Sequence, residues 1–572
     1  MMRKWLPFLF SLMLTLGLAV LGTTPPLPKP DYFAADGFSA QHAMRDVEMI
    51  AQVPHPSGSA QIENVRDMLV ARLEGAGLSV RLQEGTFPET ARAKIEARSG
   101  QAYKTVPLVN VIGVLKGRDS SLPAVALMAH YDSVYGSPAA ADDGAGVASI
   151  LGVVDTLSRD TERRRDLMVI LTDGEETELN GAQMFFAQAP ERKRIGALIN
   201  LEARGGGGKA NLFQTSPGNG AVADVWARSV THPAGSSLAT YIYSLLPNDT
   251  DLSVALPQGY AAWNFAFIGR PGLYHSPLAT PANLDRGSLQ QMGEQALGLT
   301  RALLHASALP GPSPDTVFFD VFGLFVISYL PGWGWAMLAF GLAGIVGGVW
   351  GRFDAREAWG GTARMLALML ATGLGLTALN AISQAGQVAD YYDRLAAIPA
   401  LQAMAILACL GIVMALLAQK PRSPSGFAGF LLLPFLLALA LQSVAGVAAY
   451  VLVIPVMVCG VAMTVRRFAP PVPALVFDGV GGALVAGYSL AIGYSIFQAV
   501  GPGLPAVCVL PVMICAAALA PLRPAITAGR SLWAIAVPGL VGALAIALWV
   551  RFDPVAPSVP LYSEARPAVG GK

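Results

Sequence analysis

Two patterns of apolar and polar positions divide the chain. Between residues 31 and 310, short apolar runs at 108–115, 124–128, 167–171, 195–201 and 265–268 alternate with stretches of helical period near 145–157, 221–230 and 288–305. Short runs bounded by turn residues predict buried strands, and their alternation with helices predicts an α/β domain whose mostly parallel central sheet is covered by helices. Ile62, Val65, Met68, Leu69 and Leu73 recur at helical spacing and stop at Gly75-Ala76-Gly77, which reads as a helix end. From 331 onward polar positions nearly vanish. Eight apolar spans occupy this half, near 331–350, 363–382, 399–418, 425–442, 446–464, 474–498, 503–521 and 531–550. They predict an all-α multispan membrane domain. Another apolar run, 5–22, comes after Arg3 and Lys4. It has the charge and length of a signal peptide, but no small-x-small cleavage site precedes the linker at 23–30, so it reads as an uncleaved anchor. On either reading the α/β domain is exported. The expected division is therefore 1–30 anchor and linker, 31–310 α/β domain, 311–330 junction, 331–550 eight-span domain and 551–572 tail.

Composition agrees with a membrane protein. Of the 572 residues, 53% are hydrophobic and 13% charged, against roughly 25% charged in soluble domains. A net charge of +1 gives no reason to expect a nucleic-acid partner. The basic residues between spans are unevenly placed. Arg352, Arg356, Arg364, Lys420, Arg422, Arg466, Arg467, Arg523 and Arg530 lie in alternate loops, whereas the intervening loops hold only Arg394. Positive loops face the cytoplasm, which puts the α/β domain on the opposite side: the periplasm for a bacterial inner-membrane protein, or the lumen of a vacuole or endoplasmic reticulum in a eukaryote. Within the spans Asp478 is the notable acid and reads as a helix-start or interfacial residue. No row of charged residues marks a transport path. All four cysteines fall in the apolar half, so a metal in the polar half would need His and carboxylate ligands.

Such residues recur at strand ends. The run 124–128 leads into His130-Tyr-Asp132, and a ligating imidazole needs a carboxylate such as Asp132 on its other nitrogen. An isolated His-x-Asp is more often structural. Asp142-Asp143 opens a helix, where acids commonly cap. Glu175-Glu176 follows the run 167–171, Glu202 closes 195–201, and Tyr274-His275 follows 265–268 after a Gly/Pro turn. Strand ends converge at one edge of an α/β sheet. The ordered set supplies donors for two cations sharing a carboxylate, with one glutamate left over as a base. His42, His55, His232 and His305 have no strand-end carboxylate beside them and read as structural. The loop at 205–208 lacks the strand–GxGxxG–helix setting of a phosphate site, and Asn248-Asp-Thr250 is a glycosylation sequon only in a eukaryote.

The stretches AHYDSV, AADDGAGVA, TDGEETELNGA, LINLEARG and GLYHS, with PHPSGSAQIENVRDML before them, resemble the M28 family of co-catalytic zinc exopeptidases over roughly 40–305. Glu202 in its Asn-Leu-Glu strand end, VFFDVFG at 317–323 and the multispan half make the membrane-embedded branch of vacuolar membrane proteases and endoplasmic-reticulum metallopeptidases the nearer match. The resemblance implies the zinc exopeptidase fold and two Zn2+ per chain. Asp142 would bridge the ions, with His130 and Glu202 on one and Glu176 and His275 on the other. It further implies Glu175 as general base, a cis peptide between Asp142 and Asp143, an oxyanion-stabilising Tyr274 hydroxyl, and Asp251 as an acid tuning the base. The implied activity is removal of N-terminal residues from peptides by an activated water shared between the ions. Glutaminyl cyclase-like acyl transfer and a non-catalytic peptidase-fold receptor are the alternatives. Two positions depart from the family pattern. Ser276-Pro-Leu-Ala279 lacks the acid that often follows the last His, which leaves support of His275 open, and Ala255 replaces an aromatic. Residue preference and oligomeric state are not legible.

Overall fold

In the computed structural model, the structure describes residues 5–384, 391–418, 423–522 and 529–552, without the side chains of 529–531. Arg3, Lys4, Lys420, Arg422, Arg523, the Arg530 side chain and the expected tail beyond 552 lie outside the described residues. The chain divides into two compact units: one of residues 25–328 with 391–396, the other of the N-terminal helix and the remaining apolar helices.

The first unit is built on a seven-stranded sheet, counted among the described residues. Its strands are β1 (Ser79–Thr86), β2 (Pro107–Leu115), β3 (Ala124–His130), β4 (Leu167–Thr172), β5 (Ile195–Ala203), β6 (Asn211–Thr215) and β7 (Ala261–Phe267), in the spatial order β1-β2-β4-β3-β5-β7-β6. The central four, β4-β3-β5-β7, are parallel. At the margins, β1–β2, β2–β4 and β6–β7 pair antiparallel, so the sheet is mixed, with its parallel part in the middle. β3 and β4 are buried at every position, as expected for strands covered on both faces. One covering helix, Gly144–Leu157, is buried along almost its whole length and is capped by Asp143, whose carboxylate accepts the Gly146 N–H at 3.0 Å. Helices Ala40–Ile50 and Arg286–His305 pack beside it around Phe38, Met292 and Leu151. On the other face Phe185, Phe186, Leu252 and Ala255 form a smaller core. Because the central strands run the same way, their C-terminal ends share one edge.

The expected boundary at 310 moves to 328. The segment taken as a junction forms the hairpin of β8 (Val317–Val321) and β9 (Phe325–Tyr329). Its Phe318 is fully buried against Trp226, and Asp320 pairs with Lys209 at 3.0 Å. Burial of that aromatic ties the hairpin to the domain. Residues 25–30 likewise join this unit rather than the anchor, through a Lys29 N–H that donates to Gln290 at 2.8 Å.

In the second unit eight helices, among the described residues, are long and apolar enough to cross a membrane: Leu6–Thr23, Ala355–Gln384, Ile398–Leu417, Pro424–Val444, Tyr450–Phe468, 471–500, Pro505–Leu522 and Leu532–Phe552. The expected span at 331–350 is a shorter apolar helix, Trp333–Val349. Glycines allow close approach. A Cβ on Gly361 would land on the Gly426 carbonyl oxygen and one on Gly429 on that of Ala358, while one on Gly344 would lie 2.5 Å from the Gly460 carbonyl carbon. Small residues at crossings are how helices pack where no hydrophobic driving force separates protein from solvent. The N-terminal helix packs on Gly482–Val500, and its Ser11 hydroxyl donates to the Gly479 carbonyl. Asp478 sits inside a helical turn rather than at a helix start, and pairs with Arg466 at 3.2 Å.

Candidate metal centre

Each strand end delivers one part of the site. His130 is the last residue of β3 and pairs in register with Thr172, the last of β4. The chain leaves β4 through Asp173-Gly174, with Gly174 at φ +73 where a side chain is disfavoured, and presents Glu175 and Glu176. Glu202 is the penultimate residue of β5, and His275 follows the short turn after β7. Asp142 precedes the helix that covers the sheet, and the Asp142–Asp143 peptide is cis.

These residues meet. His130 Nε2 lies 3.2 Å from Asp142 Oδ1 and 3.9 Å from Glu202 Oε2. His275 Nε2 lies 3.3 Å from Asp142 Oδ2 and 3.1 Å from Glu176 Oε1. Asp142 thus turns one oxygen to each imidazole. Three donor trios result, His130–Asp142–Glu202, Asp142–Glu176–His275 and His130–Glu175–Glu176, the ligand atoms of each lying within 4.8 Å of one another, and the first two share Asp142. Two ligands held at about 2.1 Å by a tetrahedral zinc are roughly 3.4 Å apart, and the measured separations bracket that value. Glu176 Oε1, though 3.1 Å from His275 Nε2, is buried without a hydrogen bond to any described residue.

Electrostatics point the same way. Asp132, Asp142, Glu175, Glu176 and Glu202 crowd together, and among the described residues their ion partners are the two imidazoles. Burying that many carboxylates without cationic compensation is costly. Accordingly, burial pushes Glu175 well above the usual carboxylate range, and the charges of Glu202, Glu176 and Asp251 add to it against His130. Glu202 and Glu176 are raised by burial too. Burial would also raise Asp142, but His130 and His275 outweigh it and hold this carboxyl below its usual value. Both imidazoles are pushed up: burial opposes this, but Asp132 and Asp142 prevail at His130, and Glu176 and Asp142 at His275. A pair of divalent cations fits this donor set in charge, ligand type and spacing.

The remaining expected residues lie around this cluster. Asp132 Oδ1 is 3.3 Å from His130 Nδ1, where it can hold the ring. The same carboxylate accepts the backbone N–H of Glu175 on Oδ1 at 3.1 Å and that of Glu176 on Oδ2 at 3.3 Å, a second task that sequence did not suggest. Glu175 lies 4.0 Å from His130 Nε2 with its side chain 15% exposed, so solvent reaches it. Tyr274 stacks on His275 with ring centroids 3.7 Å apart. Its hydroxyl is pushed up by burial and by Asp142, Glu176 and Glu175. Asp251 is near enough for its charge to act on Glu175, accepts the Thr172 hydroxyl and is pushed up to about 6 by burial. His42, His232 and His305 pair with Asp31, Glu294 and Asp160, away from the cluster. His55 is buried near His130 and Asp132, but bonds the Val53 carbonyl. The residues that sequence reading missed are Asn200, whose amide donates to Glu202 at 3.2 Å, and Tyr392, whose hydroxyl lies 2.9 Å from His275 Nδ1. Asn200 sits two positions from Glu202 on the same strand face and was visible in principle. Tyr392 carried no signal.

Residues 110–300 match Peptidase family M28. The chain carries an M28 peptidase domain. It is 33% identical over 292 residues to the vacuolar membrane protease of Eremothecium gossypii, covering 49% of this chain and 28% of that protein. It is 34% identical over 230 residues to human (Homo sapiens) endoplasmic reticulum metallopeptidase 1, covering 39% and 25%. Among solved structures, the aminopeptidase from Aneurinibacillus sp. strain AM-1 superposes at 15% identity and a TM-score of 0.39, covering 50% of this chain and 98% of that one. The chain spans less than two fifths of the length of the curated relatives it matches.

Proposed function

We propose that this protein is a membrane-bound co-catalytic zinc exopeptidase that removes N-terminal residues from peptides. The observation that carries the reading is the split of the Asp142 carboxylate between His130 and His275, with Glu175 belonging to neither of the two trios that share Asp142. Two Zn2+ would be held by His130, Asp142 and Glu202 and by Asp142, Glu176 and His275. When bound, they supply a Lewis acid for the scissile carbonyl and acidify water. Glu175, raised by burial and acidic neighbours, takes the proton of the attacking water and passes it to the leaving amine. Asp132 orients the His130 ring and anchors the backbone of Glu175. Tyr274 offers its hydroxyl to the developing oxyanion. Asp251 holds the proton affinity of Glu175 up. The carboxylate-rich site attracts a free α-amine, which confines cleavage to the chain terminus.

The eight long apolar helices among the described residues support an activity held at a bilayer. The loop between Ala355–Gln384 and Ile398–Leu417 contributes residues 391–396 to the peptidase unit. That supports putting the loop holding only Arg394 on the peptidase side, with the arginine-rich loops cytoplasmic. For a bacterial inner membrane the peptidase then faces the periplasm.

The test is one assay on purified full-length protein: zinc content, and hydrolysis of aminoacyl anilides with and without chelator, for wild type and Glu175→Gln. Two zincs in both proteins are expected, with turnover lost from Glu175→Gln by roughly 10²–10⁴-fold. Two zincs with no amide cleavage by wild type would overturn the enzyme reading, and ammonia release from an N-terminal glutaminyl peptide would point to acyl transfer instead.

A further inference from the structure

The family's usual acid after the last histidine is absent here, and Ala279 occupies its place. His275 nevertheless has a polar neighbour behind it. Its Nε2 faces Asp142 and Glu176, and a ring nitrogen that ligates a metal must carry no proton, so the proton belongs on Nδ1. Nδ1 lies 2.9 Å from the Tyr392 hydroxyl oxygen. Tyr392 comes from the helix Tyr391–Ala396, which follows Ala355–Gln384 in the chain and packs with the peptidase unit.

The segment is well seated. Gly272, in the turn before His275, lies so close that a Cβ there would be 2.9 Å from Ala396 Cα. Leu395 is buried. Tyr391 stacks edge-on to Tyr392 at 5.3 Å and receives a hydrogen bond from Arg204, whose guanidinium also lies 5.7 Å from the Tyr391 ring centroid. Arg204 comes directly after β5, two residues beyond Glu202. The helix therefore touches the chain beside one expected ligand of each ion. His275 itself has φ +54, a backbone state uncommon outside glycine.

We propose that Tyr392 is the positioning residue for His275, accepting the Nδ1–H so that Nε2 is aimed at the second metal position. It takes over the task that an acid downstream of the histidine performs in relatives. Metal affinity at one of the two positions then depends on a segment encoded between two apolar spans, far from the M28 stretch.

This inference rests on the two-zinc reading, and the experiment separates the two. Zinc is titrated into chelator-stripped full-length protein in detergent against a competing fluorescent chelator, for wild type, Tyr392→Phe and Tyr391→Phe, with thermal melts of the stripped proteins. Removing the hydroxyl in Tyr392→Phe should weaken one zinc by roughly 10–100-fold and leave the other unchanged. Tyr391→Phe should bind both as wild type does. The stripped proteins should melt together, because the ring and its packing are retained. Equal binding of both zincs by wild type and Tyr392→Phe would overturn the proposal and leave the peptidase reading intact. So would equal weakening of both zincs, or a Tyr392→Phe that melts lower without metal, since either marks general packing. Failure of wild type to take up two zincs would instead overturn the reading beneath it.

Discussion

On the proposed reading the side chains of the site separate into donors, a base and supports, and each group predicts a different failure. Asp142 contributes an oxygen to the trio with Glu202 and to the trio with His275, so Asp142→Asn should lower affinity for both zincs, whereas Glu202→Gln should lower affinity for one. Metal counting after equilibrium dialysis distinguishes them. Asp251 adds negative charge near Glu175, which disfavours the ionised base. Removing that charge in Asp251→Asn should lower the proton affinity of Glu175 and move the acidic limb of the kcat/KM profile to lower pH. A limb that stays put or moves upward would exclude Asp251 as a tuning acid. The proposed donors are legible as candidates because each stands at or shortly after the end of an apolar run, or at the start of a helix. The double use of Asp132 is not, because its partners are backbone groups more than forty residues away.

Strands and helices differed in how plainly they announced themselves. β2, β3, β4, β5 and the end of β7 were visible as apolar runs because burial on both faces demands apolar residues at consecutive positions. β1 and β6 were not: they lie at the two edges of the sheet, and most of their positions remain exposed or half-buried, so no apolar run marks them. Asn180–Gln188 shows how tightly an element is held next to the site. A Cβ on Gly181 would meet Asn110 Oδ1 and the Asp173 backbone. Gly181→Ala should cost roughly 1–3 kcal/mol by overpacking and disturb the turn that carries Glu175 and Glu176, read as a lower melting temperature together with weaker zinc binding. Between the apolar helices the same logic applies to Gly361. Gly361→Leu would force Ala355–Gln384 away from Pro424–Val444, and should lower the melting temperature in detergent while leaving the zinc count of the folded protein unchanged.

Across the full chain, charge and protons link metal to stability. Burial lifts Asp251 to about 6 and Asp173 to about 7 from 3.8. The folded state thus binds these protons more tightly than the unfolded state. Their contribution is complete below about 3.8 and is lost as pH rises through 6 and 7. His130 and His275, raised above 6.5, lose theirs as pH rises through still higher values. Asp142, held below 3.8, acts in the opposite sense only at lower pH. Chelator-stripped protein should therefore melt at progressively lower temperature as pH rises from 5 towards 8. The zinc-loaded protein should resist this trend, because its ligands must be deprotonated to bind. Parallel melting curves for the two forms would contradict a metal at these carboxylates.

Local patterns were enough to read an α/β half, an apolar half and the order of the candidate donors, since apolar runs, caps and strand ends are properties of neighbouring residues. Distance in space is different. That one carboxylate divides its oxygens between two imidazoles, and that a tyrosine 117 residues beyond His275 reaches its ring, depends on how remote segments fold against each other. No periodicity or spacing encodes that, because the interaction energies involved are set by through-space separation and not by position along the chain.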